Sequence, residues 1–397
     1  MKKNPLVLMI AVYSIFFALG MPDGAFGVAW PRIRYEMGLE LGQATVLIVV
    51  HSIFYSLSSS QTGRLARFIR VERLGGIGFL LLLVGVLCFS FAPNLMGLTG
   101  ATVLLGLGMG LVDSGVNAFA ADRFSARHLN WLHCFWGMGG AVSPVIMRQM
   151  VMFYDDWRVG YQALFVIQLV IAVFVAFSIF KGYWDLKTAR QDGDENISPS
   201  QEGAFLTSKV YPVVQWWLFF LYTAFEYSVT FWTVSVLIES EYRNVPFETA
   251  GLFPAIYLGA LMAGRFIFGY VTDLISGVHV IRIGFALSLV GLVILTFSSS
   301  FVGIALVGFG FAPVFPCLMN ETKTRFHPAS LSKLVGLQIA AAGLGVALSA
   351  IVMREVLAIS LELLYPTVIA CVVVAFSMNE FIQWGVRRRH SRVSPKT

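Results

Sequence analysis

Three carboxylates lie well inside long apolar segments of this chain: Asp23, Asp113 and Glu226. An ionisable side chain within a bilayer is costly unless it faces a partner or a cavity, so each is a candidate functional group. A buried carboxyl group can take up and release a proton. It can also bond the hydroxyl groups of a polar solute. The segments around these acids must support one or both of these chemistries.

Asp113 has the clearest position. It lies nine residues before Asp122, which should mark the end of its segment, so the helical rise places it about 14 Å inside, near the midplane. Asn117 follows one turn later on the same helix face and can bond a hydroxyl group or orient the acid. The structural alternative is that Asp113 pairs with a polar group and holds two helices together.

Asp23 lies in Gly20-Met-Pro-Asp-Gly24, where Pro22 removes a backbone donor and the glycines loosen the helix. We expect a helix break there, with freed backbone groups beside the carboxylate. The alternative is that the segment ends near Pro22 and leaves Asp23 at the outer interface. Glu226 lies about 22 Å into a later segment, again near the midplane.

Several other side chains could line a cavity. Trp232 could stack on the apolar face of a sugar while Glu226 bonds its hydroxyls, although a lone Trp is more often a packing residue. His133 could relay protons or lie at the interface, and Trp136 follows on the same segment. Gln338 and Asn320 are candidate cavity amides. The chain has no G-x-x-x-x-G-K-[ST] or H-E-x-x-H motif, so we expect no enzymatic activity, cofactor or metal.

The composition explains where these residues lie. Of 397 residues, 57% are hydrophobic and 13% are charged, whereas soluble domains carry about 25% charged residues. The apolar runs are continuous rather than alternating, which predicts an all-α membrane protein and excludes a β-barrel. Twelve transmembrane helices are predicted at residues 6–30, 43–63, 74–92, 95–121, 131–152, 161–182, 211–238, 248–271, 280–298, 300–320, 333–353 and 363–386.

The basic residues predict the orientation. The net charge of +6 does not indicate a nucleic-acid partner, because the basic residues lie at the ends of the apolar runs. Only six of the 28 Lys and Arg residues fall on one predicted side: Arg32, Arg34, Arg148, Arg158, Arg243 and Arg354. The other side is therefore cytoplasmic and holds both termini. The short loops favour a bacterial cytoplasmic membrane, with the lipid bilayer as partner and the chain as a monomer.

The chain also repeats itself. Gly106–Phe124 aligns without a gap with Gly308–Phe326, and Gly139–Arg148 aligns with Gly345–Arg354. This predicts two pseudo-symmetric six-helix bundles, with a substrate site near the midplane between them. The predicted division is 1–182 for the N-terminal bundle, 183–210 for a cytoplasmic linker, 211–386 for the C-terminal bundle and 387–397 for a basic tail. Asp113 aligns with Phe315, so this acid belongs to one half.

These features resemble the major facilitator superfamily over essentially the whole chain. The superfamily signature is present at Gly269-Tyr-Val-Thr-Asp273, whereas the first-half copy, Gly63-Arg-Leu-Ala-Arg67, has Arg in place of the usual Asp. The resemblance implies a structural latch at Arg67 and Asp273. We expect Arg265, eight residues before Asp273, to be structural and to pair near the second-half latch.

Within the superfamily, the chain resembles the fucose–proton symporter branch. The resemblance rests on Tyr222-Thr-Ala-Phe-Glu226 followed by Trp232, on Tyr257-Leu-Gly-Ala-Leu-Met-Ala-Gly-Arg265, and on the acid and amide at 113 and 117. It implies that Asp113 and Asp23 match the symporter's acids. Proton coupling is therefore assigned to Asp113 and Asp23, and substrate binding to Glu226, Asn117, Trp232, Trp136, His133, Gln338 and Asn320.

The sequence thus predicts a secondary transporter that moves a small polar solute, with a sugar and H⁺ as the leading candidates. Three alternatives stay open. The first is an efflux carrier for a lipophilic or amphiphilic compound. The second is coupling to Na⁺, since carboxylates and an amide can also ligate a cation. The third is a membrane receptor or enzyme, which would bind its ligand without translocating it.

Overall fold

The computed structural model describes residues 5–124, 126–185, 205–272 and 274–393. Every regular element in this part of the chain is helical, with fourteen α-helices and three short 3-10 turns. Since α8 leads into α9 and α11 into α12 after short interruptions, the helices form twelve segments. The predicted all-α membrane fold is confirmed.

The helices follow the predicted segments closely. The first seven are α1 (Pro5–Met37), α2 (Ala44–Leu65), α3 (Val71–Ser90), α4 (Leu95–Arg123), α5 (Ala126–Tyr154), α6 (Trp157–Phe180) and α7 (Val210–Glu239). The others are α8 (Phe247–Ala250), α9 (Phe253–Val271), α10 (Gly277–Phe297), α11 (Phe301–Phe311), α12 (Val314–Arg325), α13 (Pro328–Ile359) and α14 (Leu364–Val393). The 3-10 turns are Leu41–Gln43, Tyr183–Asp185 and Leu361–Leu363.

Ten segments of the described chain are long and apolar enough to cross a membrane by length and composition. The two predicted crossings outside this set are α5 and α7, which have 29 and 30 residues. Both are long enough for a bilayer, since about 20 residues suffice. They fall short in hydropathy because they carry polar residues such as His133 in α5 and Glu226 in α7. Both spans carry candidate site residues, as do α1 and α4, which are among the ten.

The helices belong to two compact units, each with its own core. The first is drawn from Met1–Gln191 with Thr230–Gly259, and the second from Asp192–Val229 with Ala260–Thr397. In the first unit, α1 packs along α5 and α6, and α4 packs against α2 and α3. In the second unit, α10 packs against α11, α12 and α14. The domain boundaries at 182 and 210 stay a prediction; the grouping divides α7 between the units at Val229 and Thr230.

The expected helix break at Pro22 is absent. The helix α1 runs through both Pro22 and Pro31, so Asp23 lies inside a helix rather than at its end. The neighbouring glycines have a packing role instead. A Cβ atom at Gly20 or Gly24 would clash with a backbone carbonyl of α5, that of Trp136 or Gly140. The missing side chains let the two backbones approach, as small residues do between membrane helices.

The aligned repeat ends in the same way in both units. The helices α4 and α12 each end at an Arg, and each is followed by an extended Phe, Phe124 or Phe326. The tenth predicted span, 300–320, differs from its counterpart because it is interrupted between α11 and α12. Pro313 lies at this interruption, where it has no N–H to donate to the carbonyl one turn earlier. The aligned position in the continuous helix α4 is Leu111.

The contact between α1 and α5 can be tested with Gly139→Ala. A Cβ atom at Gly139 would clash with the carbonyl of Phe17, and backbone on both sides cannot move aside cheaply. We expect a loss of about 1–3 kcal/mol in stability, measured by thermal unfolding of the purified protein in detergent. The control is Gly100→Ala in α4, where a Cβ atom meets nothing within 4 Å. Equal unfolding temperatures for both variants would contradict the packing described here.

Candidate functional site

The carboxylate of Asp113 is the centre of a polar cluster in the first unit. Its Oδ2 accepts a hydrogen bond from the hydroxyl of Tyr55 on α2, and its Oδ1 accepts one from Asn117 Nδ2 at 2.8 Å. Asp113 and Asn117 are half-buried. Each carboxylate oxygen therefore has a donor, which is how a charged group can be held within a helix bundle. The predicted approach of Asn117 to Asp113 is present in the structure.

Tyr55 belongs to a polar stripe that sequence reasoning missed. His51, Tyr55, Ser58 and Thr62 are spaced by four, three and four residues, which places them on one face of α2. That face meets α4: His51 Nε2 lies 3.3 Å from Met109 Sδ, and the hydroxyls of Thr62 and Ser114 are 2.6 Å apart. The spacing was a readable signal in the sequence. The spacing did not reveal which helix would pack against this polar face of α2.

Asp23 also contributes to this cluster from α1. It is half-buried, and its carboxylate is close enough to that of Asp113 for the two charges to interact. Two nearby carboxylates repel each other, and a proton on either one removes that repulsion. The two acids predicted to couple protons are therefore in electrostatic contact, although they come from different helices of the first unit.

A second charged group lies in the second unit. Glu226 on α7 and Arg265 on α9 form an ion pair, with Nη2 of the arginine 4.0 Å from Oε1 of the acid. Tyr222, one turn before Glu226, interacts with both side chains, and its hydroxyl donates to the carbonyl of Phe311 at 2.9 Å. The predicted pairing of Arg265 near the latch is therefore wrong. The side chain reaches α7, because the geometry of packed helices, not chain distance, selects its partner.

The aromatic candidates have other surroundings. Trp232 is fully buried in the C-terminal half of α7, and its ring packs edge-on against Phe231 with 4.7 Å between centroids. No ring face is available for stacking on a sugar, so the structure contradicts that role for Trp232. Trp136 is half-buried at the contact of α5 with α1. His133 is exposed, and its ring contacts Phe16 edge-on at 5.7 Å.

The two candidate amides differ in their exposure. Gln338 is only 3% exposed and contacts Thr322 Oγ1 at 3.2 Å within a buried polar network. Gln215 donates to the same Oγ1 at 2.7 Å, and Arg325 donates to Gln215 and Asn379 at 3.1 and 3.0 Å. Gln338 is therefore not a cavity amide in this structure, because its polar atoms bind protein groups. Asn320 is exposed on α12.

Of the two residues assigned to the latch, only Arg67 lies in the described part of the chain. Arg67 is exposed in the turn that follows α2. Asp273 lies outside the described residues, so the latch stays a prediction from resemblance. Among the described side chains, no group of three or more His, Cys, Asp or Glu residues is placed to hold a metal ion.

The buried network of the second unit can be tested with Thr322→Val. This nearly isosteric change removes the oxygen that accepts from both Gln215 and Gln338 and leaves two buried amides short of a partner. We expect a loss of about 1–3 kcal/mol in stability, measured by thermal unfolding. The control is Thr324→Val on the exposed side of α12, which should have little effect. If Gln338 instead bound solute, Thr322→Val would alter ligand binding and leave the unfolding temperature unchanged.

Comparison with known proteins agrees with this architecture. The riboflavin transporter RibZ of Clostridioides difficile (strain 630) is 22% identical over 185 residues, which are 45% of this chain and 38% of that protein. The match thus spans about two fifths of the relative's length.

Solved structures of similar fold cover nearly the whole chain at low identity. A POT family transporter in complex with 5-aminolevulinic acid has a TM-score of 0.74 and 12% identity, with 98% of both chains covered. The peptide transporter POT in complex with sulfate has a TM-score of 0.75 and 12% identity, with 100% and 97% covered. The nucleoside transporter NupG has a TM-score of 0.73 and 10% identity, with 96% and 100% covered. A family model described as Major Facilitator Superfamily matches residues 12–350, and this chain is therefore a member of that superfamily.

Proposed function

We propose that the protein is a secondary transporter that uses protons to move a small polar solute by alternating access. The observation that carries the proposal is the carboxylate of Asp113, held inside the first unit by Tyr55 and Asn117. Carboxyl groups within membrane helices commonly form the proton pathways of transporters. Membership of the superfamily and the polar solutes named for its relatives agree with this proposal.

The bonding of Asp113 suggests how a proton could act on the helices. As a carboxylate, Asp113 accepts from both Tyr55 and Asn117. When one oxygen carries a proton it becomes a donor, so the side chain that donated to it must turn or find another acceptor. Tyr55 lies on α2 and Asp113 on α4, so protonation changes a contact between two helices. Asp23 adds a second carboxylate whose charge responds to the same proton.

The solute is proposed to be a sugar or a similar polar compound. This rests on the resemblance to the fucose–proton symporter branch and on polar side chains placed within both units. Glu226 is assigned to the solute-binding region of the second unit, together with Arg265 and Tyr222. Trp232 is left out of this set because its ring is buried.

The proton assignment is tested with Asp113→Asn. The amide cannot exchange a proton at physiological pH, so a pH gradient should no longer drive solute into proteoliposomes. The solute for this assay is one that stabilises the purified protein in a thermal-shift screen of sugars, nucleosides, peptides and drugs. The control is Asp155→Asn, which removes a carboxylate that is 81% exposed beside α5. Accumulation against a gradient by Asp113→Asn would refute the proton role of this acid.

One alternative predicts a different coupling ion, and another predicts transport out of the cell. If Na⁺ is the coupling ion, replacing sodium with choline at constant pH should abolish accumulation; for proton coupling we expect less than about a twofold change. If the protein is an efflux carrier, inverted vesicles with an imposed pH gradient should take up lipophilic dyes in preference to sugars. Counterflow of labelled solute separates both carriers from a receptor or enzyme, in which it is absent.

A further inference from the structure

The ion pair of Arg265 is loose in comparison with the pair that Arg282 forms in the same unit. Arg282 holds Glu380 with two hydrogen bonds of 2.8 and 2.7 Å, a bidentate arrangement. Arg265 approaches Glu226 with one terminal nitrogen at 4.0 Å, which is beyond hydrogen-bond distance. The guanidinium of Arg265 therefore lacks the forked partner that this group is shaped to bind.

The remaining donors of Arg265 confirm that its bonding is incomplete. Its Nε is buried and has no hydrogen-bond partner among the described residues. The Nε of the deeply buried Arg325 also lacks a hydrogen-bond partner among the described residues, but both of its terminal nitrogens donate to amide oxygens, those of Gln215 and Asn379. A guanidinium with unused donors inside a membrane helix is unfavourable unless water or a ligand completes its shell.

The pair is also accessible. The side chains of Arg265 and Glu226 are 20% and 22% exposed, whereas Arg325 is 1% exposed. A charged group cannot face hydrocarbon at low cost, so water or a polar ligand is the favourable neighbour for this exposed part. The hydroxyl of Tyr222 is fixed by its bond to Phe311 O, which leaves its oxygen free to accept and helps to hold Arg265 in place.

We propose that the transported solute carries an anionic group, a carboxylate, phosphate or sulfate, which binds the guanidinium of Arg265 and displaces Glu226. Glu226 then acts as an internal counter-ion that neutralises the arginine while the site is empty. A planar anion can form two parallel bonds to the fork, which Glu226 does not form here. This inference rests on the proposed function, because it gives the class of solute that the transporter would carry. A sugar acid or sugar phosphate would satisfy both proposals.

The test uses thermal shifts and binding by isothermal titration on the purified full chain in detergent, without an ion gradient. The probes are inorganic sulfate, D-glucose against D-glucuronate and D-glucose 6-phosphate, and N-acetyl-leucinamide against N-acetyl-leucine. We expect at least one anionic member to stabilise the protein and its neutral counterpart not to do so. Arg265→Gln should weaken that binding about tenfold or more, and Arg265→Lys should weaken it less, because charge is kept but the fork is lost.

Glu226→Gln gives the most discriminating test, because the proposal predicts that this variant binds the anion with higher affinity. With its internal competitor removed, Arg265 should bind the anion more tightly than in the unmodified protein. If Glu226 contacted a neutral solute directly, the same change would weaken binding. The control Arg354→Gln removes an arginine that is 54% exposed and should leave binding unchanged.

The outcomes separate this inference from the proton proposal. The anion site would be overturned if no anionic probe stabilised the protein, or if only neutral probes did. It would also be overturned if an anion stabilised Arg265→Gln as strongly as it stabilises the unmodified protein. None of these results would affect the test of Asp113. Conversely, anion binding that depends on Arg265 would stand even if Asp113→Asn still accumulated solute. Circular dichroism and gel filtration of each variant show whether a loss of binding reflects unfolding.

Discussion

A carboxylate can remain inside this bundle of apolar helices because Tyr55 and Asn117 donate to both of its oxygens. The bond from Tyr55 crosses from α2 to α4 and sets the register of the two helices. In that register His51 meets Met109, and Thr62 meets Ser114 one to two turns away. The cost of an unpaired charge in hydrocarbon thus selects one alignment of two helices whose other contacts are mostly apolar. The proton that we propose for Asp113 would act on this same contact between α2 and α4.

Close backbone approach is the second requirement of the first unit. Gly20 and Gly24 on α1 face backbone carbonyls of α5, and Gly139 on α5 faces Phe17 on α1. Apolar burial provides little net attraction between helices in lipid, so tight packing of small residues has to supply it. The glycines on either side of Asp23 therefore let the part of α1 that carries this carboxylate pack closely against α5. Pro22 is accommodated inside this continuous helix.

The charged residues of the second unit lie at different positions from those of the first, although both units share the helix endings at Phe124 and Phe326. Phe315 replaces the acid found at Asp113. The arginines of this unit differ in their bonding instead: Arg282 forms two hydrogen bonds with Glu380, the terminal nitrogens of Arg325 bind buried amides, and Arg265 lies 4.0 Å from Glu226. A satisfied group contributes to stability, whereas an incompletely bonded one is available to a ligand. This difference in bonding is the basis of the anion-binding role that we propose for Arg265.

The sequence by itself determined the helical class, the twelve segments and the internal repeat. These follow from local properties: the lengths of apolar runs, the spacing of polar residues and aligned motifs. It also indicated the pairing of Asp113 with Asn117, because residues one turn apart share a helix face. Only the tertiary structure decided that Tyr55 binds Asp113, that Arg265 faces Glu226 rather than the latch, and that Trp232 and Gln338 are buried. Each of these contacts joins residues from different helices, and their partners depend on how the helices rotate and pack, which no local spacing encodes.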